Sequence, residues 1–328
     1  MQHVDVVVIG AGVAGLTAGM IAAGQGARTL VIEQLAAGGQ VANVERIRNF
    51  PGFPDGIAGY ELGPLLLQQA EAAGAEVRLD SVSAITAGDG VYRVICAEGE
   101  VVARAVIIAA GSSLRTLDIP GEAAFAGRGV SHCATCDGPL FKGLSVVVVG
   151  GGDSAFDEAQ VLAGHASEVT VIHREATPAA RPAAVGLLAA LPNVRVLAGA
   201  EVIAIEGEGR VSAVAVRRDS EVEHRACSAV FAYPGLQPRT GFLHGLVTLD
   251  SSGHIVTDQM MRTSRPGLYA AGDIRAGSVK LLASVAGDAA TAAVSAARYL
   301  RTTHENNNMK WEGNDLGVAE RGRTASGR

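Results

Sequence analysis

Two stretches of the chain repeat one pattern, and that repeat limits the fold more than any other feature. Residues 6–19 read VVVIGAGVAGLTAG and residues 146–159 read VVVVGGGDSAFDEA. Each runs from an apolar strand through a turn of small residues into a helix. The small residues are Gly10, Gly12 and Gly15 in the first copy and Gly150, Gly152 and Ala155 in the second, on G-x-G-x-x-G/A spacing. The first glycine permits the tight turn, the second lets backbone approach a pyrophosphate, and the third position lets helix pack on strand. The helix N-terminus then faces the phosphates, with Asp153 and Ser154 at that point in the second copy. Glycine turns between strand and helix also arise from packing alone; two copies in the same context point to two dinucleotide sites.

The next strand of each copy speaks to which nucleotide is held. ARTLVIEQ ends on Glu33 and Gln34, with Glu33 23 residues after Gly10. A carboxylate there accepts hydrogen bonds from adenosine ribose hydroxyls and repels a 2′-phosphate, which suits FAD or NAD. In the second copy His173 stands 23 residues after Gly150, followed by Arg174 and, further on, Arg181. Guanidiniums pair with a 2′-phosphate, so this site is expected to take NADPH. Glu175 beside them carries the opposing charge, and a solvated strand end is the alternative for His173 and Arg174.

The copies are not in simple tandem. Two further apolar strands end in small-residue turns: VIIAAG at 106–111, closing on Gly111, and GLYAAGD at 267–273, closing on Gly272 and Asp273. A carboxylate at such a turn meets polyol hydroxyls, and a backbone cradle meets phosphate. The expected fold class is therefore α/β: two Rossmann-like nucleotide-binding domains of three-layer architecture, the second inserted into the first. The expected bounds are 1–114 with 240–302 for the first domain, binding FAD or NAD, 115–239 for an NAD(P)H-binding domain, and 303–328 for a polar, disordered tail.

Charge and hydropathy narrow the partners. The net charge is −6 and no block of basic residues occurs, so no nucleic-acid partner is expected. Apolar runs such as LSVVVVG are strand-sized, well short of the roughly 20 residues of a membrane helix, so no membrane span is expected. Met1, Gln2 and His3 lead straight into the first strand with no basic n-region, and a cytoplasmic location is the expectation.

The chain has four cysteines, of which Cys133 and Cys136 share a C-x-x-C spacing inside SHCATCDG. In a reducing compartment such a pair does redox or metal chemistry. Zinc needs two more ligands, and Cys96 and Cys227 stand isolated in strand-like contexts, so no metal is expected. A C-x-x-C at a helix start lowers a thiolate pKa and makes the pair a two-electron store. His132, directly before Cys133, is a candidate base for an incoming thiol or a stabiliser of a thiolate.

GAGVAG, AAGGQ, NFPGFPDGIAGYEL, GRGVSHCATCDG, GGGDSA and YAAGD occur in that order, and together they resemble the low-molecular-weight thioredoxin reductase family. The resemblance implies a homodimer that binds FAD and NADPH and reduces a thioredoxin-like protein. It implies that Cys136 is the flavin-side sulfur, Cys133 the one that meets the outside thiol, and Asp137 the proton carrier. It also extends the flavin-site candidates to Gly39, Gln40, Asn49, Val82, Gly111, Lys280 and Leu281.

The chain departs from the family's pattern at His132, in the polar tail, and in two further stretches. HREATPAAR puts Glu175 where a second arginine is usual and displaces Arg181 by two residues, and Lys280-Leu281-Leu282 stands where Arg-Gln-Ala is usual. These changes leave an alternative in which the chain resembles natural-product dithiol oxidases, with electrons flowing from a small dithiol to FAD and on to O2 or NADP. A non-catalytic flavin-binding sensor is the second alternative, opposed by the intact C-x-x-C-D.

Overall fold

The structure is a computed structural model that describes residues 1–88 and 90–315. The chain divides into two compact units. One comprises Met1–Ala42, Arg46–Ser112 and the chain from Pro238 on; the other comprises Asn43–Glu45 and Ser113–Gln237.

The outer unit begins with β1 (Gln2–Ile9), α1 (Val13–Gly24) and β2 (Thr29–Glu33), followed by α2 (Gly59–Ala72) and β3 (Glu76–Leu79). A hairpin of β4 (Val82–Gly88) and β5 (Val91–Cys96) leads into β6 (Gly99–Ile108). β1 lies between β2 and β6, parallel to both, and β2 pairs parallel with β3. A parallel strand is covered on both faces, which is why β1 reads VVVI with all four residues buried.

β7 (Ser112–Leu114) opens the inserted unit, followed by β8 (Val130–Ser131), α3 (Ala134–Asp137), β9 (Ser145–Val149), α4 (Asp153–Ala163) and β10 (Glu168–His173). Then come α5 (Pro182–Ala189), β11 (Val194–Ala198), the antiparallel trio β12 (Ala200–Glu206), β13 (Ala213–Arg218) and β14 (Glu221–Ala226), and β15 (Ala229–Ala232). The parallel sheet has the order β11-β10-β9-β15-β8. Its core on one face joins Val148 and Phe231 to Phe156 and Leu162 of α4 and Leu188 of α5. On the other face Val147 and Val230 meet Val202, Val214 and Val216 of the antiparallel trio.

β16 (Leu236–Pro238) pairs with β7, so the chain leaves the inserted unit beside the strand by which it entered. β17 (Leu268–Ala270) then joins the outer sheet parallel to β6, next to Val106–Ile108. α6 (Leu282–Asp315) closes the unit: Ala289, Ala292, Ala293 and Ala296 form a buried stripe in one cluster with Ala14, Ala18 and Ala22 of α1. Side chains this small let the two helices approach closely.

α6 runs on to Asp315, into the segment expected as a polar tail, and residues 316–328 lie outside the described residues. The alanine stripe anchors the helix, and each further residue then adds a local backbone hydrogen bond without needing an apolar face of its own.

Candidate active site

The dithiol sits where β8 ends. Cys133 and Cys136 form a disulfide with their Cα atoms 5.3 Å apart. Cys133 is the N-cap of α3 with extended backbone, and its Sγ accepts the Cys136 amide at 3.2 Å. That hydrogen bond favours negative charge on the Cys133 sulfur. The Asp137 amide donates to the Cys133 carbonyl at 3.1 Å, closing the turn. Asp137 is half-buried, and its Oδ2 accepts the Ser131 hydroxyl at 2.6 Å.

His132 is exposed, with Nδ1 2.9 Å from the Ala232 carbonyl. A carbonyl only accepts, so Nδ1 is the donor in this bond and Nε2 is the nitrogen left for a base role. Behind the disulfide, Ala134 is fully buried and its amide donates to Glu158 Oε2 at 2.8 Å. The Tyr233 hydroxyl donates to the same oxygen at 3.1 Å. Burial pushes the Glu158 carboxyl above its ordinary range, against the pull of these two donors. Burial and then the neighbouring Glu158 carboxylate push the Tyr233 phenol up.

In the outer unit a ring of backbone turns surrounds the start of α1. Gly10 has φ +100°, and a Cβ there would lie 2.5 Å from the Ala109 carbonyl oxygen, so only glycine makes this turn beside β6. Glu33 ends β2 and accepts the Ala11 amide at 2.7 Å and the Leu35 amide at 3.0 Å. Gln34 is exposed beside it. Gly12 bridges to Gly38, and a Cβ on Gly39 would lie 3.1 Å from the Gly12 Cα. Gln40 donates its side-chain amide to the Ser112 carbonyl next to Gly111, and the Ser112 hydroxyl donates to the Asp273 carbonyl at 3.3 Å.

Gly272 packs toward Ala14, where a Cβ would meet the alanine methyl at 3.0 Å. Burial pushes the Asp273 carboxyl up, while the Ser278 hydroxyl at 3.2 Å pulls it down. Lys280 is exposed at φ +58° with Leu281 exposed beside it. Asn49 lies in the loop closed by the Ile47–Ile57 bridge and Val82 opens β4; among the described residues no hydrogen bond ties either to this ring.

The inserted unit repeats the turn. Gly150 has φ +145°, and a Cβ there would lie 2.4 Å from the Tyr233 carbonyl oxygen. Neither α1 nor α4 has a side-chain cap, since Gly12 and Gly152 are the N-caps. The first-turn amides of both helices are thus left for an anion, which fits a dinucleotide pyrophosphate on each. Asp153 and Ser154 are exposed at the start of α4. His173 ends β10, buried, and neither ring nitrogen has a hydrogen-bond partner. Arg174 faces Glu201 at 3.7 Å, and Arg181 contacts Asp153 at 3.0 Å and Asp157 at 2.8 Å.

Sequence reasoning missed Ser131, Glu158 and Tyr233 around the dithiol and Ser112 in the outer ring. Ser131 stands inside SHCATCDG, so a hydroxyl two residues before Cys133 was the available signal. The others have no local signal. Among the described residues no helix is long and apolar enough to cross a membrane.

Residues 4–305 match the family described as Pyridine nucleotide-disulphide oxidoreductase. The chain is 42% identical over 300 residues to a thioredoxin reductase of Treponema pallidum, covering 91% of this chain and 97% of that one. It is 36% identical over 300 residues to a bifunctional thioredoxin reductase/thioredoxin of Mycobacterium leprae, covering 90% and 66%. The fold matches the crystal structure of Lactococcus lactis thioredoxin reductase with a TM-score of 0.88, at 34% identity over 91% of this chain and 99% of the other. These likenesses bear out the two Rossmann-like domains and favour the reductase reading over the dithiol-oxidase and sensor alternatives. With a disulfide on its C-x-x-C and relatives of this kind over nine-tenths of its length, the chain belongs to the pyridine nucleotide-disulphide oxidoreductases, in their thioredoxin reductase branch, and is an oxidoreductase acting on a sulfur group.

Proposed function

We propose that this chain is an FAD-dependent enzyme that takes electrons from a reduced nicotinamide dinucleotide and reduces a thioredoxin-like protein. The observation that carries this reading is the Cys133–Cys136 disulfide beside the Ser131–Asp137 pair. When bound, FAD on the outer unit's turn and the nicotinamide on the inserted unit's turn supply the two-electron chemistry that returns the disulfide to the dithiol. NADPH is the sequence expectation, with Arg174 and Arg181 on its 2′-phosphate; both guanidiniums are engaged by carboxylates, so the strength of those pairs decides which dinucleotide is read.

The outward half-reaction needs only the chain's own residues. The Cys133 thiolate attacks one sulfur of the partner's disulfide, forming a mixed disulfide and expelling a partner thiolate. Asp137, held by Ser131, delivers a proton to that leaving sulfur, and His132 Nε2 is a second base within the same turn. The Cys136 thiolate then attacks Cys133 Sγ, releasing the second partner thiolate and restoring the intramolecular disulfide. Two electrons have passed and one disulfide has been exchanged for another. The Mycobacterium leprae relative, whose name joins a reductase to a thioredoxin, supports a thioredoxin-like partner. The resemblance further implies a homodimer.

An anaerobic titration tests the reading. The purified protein is expected to be yellow, to bleach on addition of NADH or NADPH, and to regain colour when a thioredoxin disulfide is added. A colourless preparation that FAD does not reconstitute, or a bleached flavin that no thioredoxin reoxidises, would overturn it.

A further inference from the structure

We infer that the adenosine end of the nicotinamide site in the inserted unit is built for a free 2′-hydroxyl, so that NADH rather than NADPH is the electron donor. This rests on the reading above that a nicotinamide dinucleotide binds at the Gly150–Gly152 turn.

Three observations carry it. First, the turn is flanked by a carboxylate. A Cβ on Gly151 would meet the His173 Cβ at 3.1 Å and Glu175 Oε2 at 3.3 Å. The Glu175 carboxylate therefore lies beside the Gly151 backbone of the turn, on an exposed side chain that accepts no hydrogen bond from it. The Glu175 segment is fixed there, because the Gly199 amide donates to the Glu175 carbonyl at 3.1 Å and the Ala180 amide donates to the Gly151 carbonyl at 3.0 Å. A carboxylate accepts a hydrogen bond from a ribose hydroxyl and repels a phosphate at the same place.

Second, the nearby guanidiniums are already taken. Arg181 is shared between Asp153 and Asp157, and its backbone amide also donates to Asp153 at 2.7 Å. Arg174 faces Glu201, which also holds Arg217. Moving Arg181 to a phosphate would strip Asp153 and Asp157 of their guanidinium beside the incoming dianion. Burial already pushes the Asp157 carboxyl up although Arg181 pulls it down, so leaving it unpaired is unfavourable. Asp153, Asp157, Glu175 and Glu201 stand against Arg174, Arg181 and Arg217, so the local balance is negative before any phosphate arrives.

Third, the Glu175 carboxylate is exposed and uncommitted beside a buried histidine. Both ring nitrogens of His173 are buried and unpartnered, and Nδ1 lies 3.8 Å from Glu175 Oε2. Glu175 has no lysine or arginine within 4.0 Å among the described residues, so its oxygens are free to accept.

Calorimetry on the flavin-loaded protein with adenosine 5′-monophosphate and adenosine 2′,5′-bisphosphate reads the adenosine end directly. The bisphosphate is expected to bind no more tightly than the monophosphate, and NADH is expected to bleach the flavin with a kcat/KM about tenfold or more above that of NADPH. Glu175→Arg is expected to shift that ratio toward NADPH by about tenfold, and Glu175→Gln by less. Tighter binding of the bisphosphate, or a higher kcat/KM for NADPH in the unaltered protein, would overturn the inference. An unchanged ratio in both variants would overturn the role of Glu175. A flavin that neither dinucleotide bleaches is the failure of the enzymatic reading, and the fragment measurement then still decides this one.

Discussion

The Ser131 hydroxyl donates to Asp137 Oδ2 at 2.6 Å and accepts the Cys133 amide at 3.1 Å, so one side chain fixes both the carboxylate and the backbone of the reactive cysteine. Ser131 is itself buried at the end of β8, and its position is set by the sheet rather than by the four-residue helix it serves. We expect Ser131→Ala to lower turnover of a protein disulfide by about tenfold and Asp137→Asn by about a hundredfold, the scale of a lost proton donor. Ser131→Thr, which keeps the hydroxyl, should restore most of the activity. Equal activity of the alanine and threonine variants across pH 6–9 would remove Ser131 from the mechanism.

The cysteines themselves give the sharpest outcome. No hydroxyl replaces a thiolate in exchange on sulfur, so Cys133→Ser and Cys136→Ser should each abolish disulfide reduction while the bound flavin keeps its colour. Turnover of any disulfide by the double variant would falsify the assignment.

The two glycine turns should be separable. Gly10→Ala and Gly150→Ala each place a methyl into a carbonyl oxygen at a positive φ, a strain of about 1–3 kcal/mol or more. Gly10→Ala should lose flavin, seen as a colourless protein. Gly150→Ala should stay yellow and fail to bleach with nicotinamide. The reverse pattern would exchange the two sites.

Glu158 makes stability depend on pH. Its carboxyl is raised in the folded state by burial, so the neutral form is favoured there. The stability this contributes is full below 4.5, the ordinary value for a glutamate, and is lost as pH rises through the higher folded value. Glu158→Gln cannot ionise and keeps an acceptor for Ala134 and Tyr233, so its Tm should exceed that of the parent at pH 8 and converge with it near pH 4. Glu158→Ala leaves both donors unsatisfied and should cost about 1–3 kcal/mol at either pH. A parent more stable than the glutamine variant at pH 8 would show that the ionised carboxylate is favoured after all.

Much of this was legible in the chain because it is local. A strand, a glycine turn and a helix occupy consecutive residues, and so do the two cysteines and Asp137, so Gly10, Gly150, Glu33 and Cys133 could be read by spacing alone. Glu158 and Tyr233 could not. They reach Ala134 because β8, β15 and β9 are neighbours in the sheet order, a pairing that no window of sequence expresses. The same holds for the acids on Arg174 and Arg181: Glu201 comes from β12 and Asp157 from α4, so the arginines looked free in sequence and are engaged in the fold.

The pairing of β7 with β16 has a consequence for synthesis. The inserted unit enters and leaves on adjacent strands, so once residue 238 has emerged its sheet and both its ends are complete. The outer unit at that moment still lacks β17 and α6: Leu268 has yet to pair with Val106, and the alanine stripe has yet to cover α1. The unit that starts first therefore finishes last, and its half-built sheet keeps the edge of β6 beside Val106–Ile108 open while the inner unit folds. A chain cut at residue 240 should yield a folded inner unit tethered to an outer fragment prone to aggregate, whereas residues 113–237 alone should fold as an independent domain.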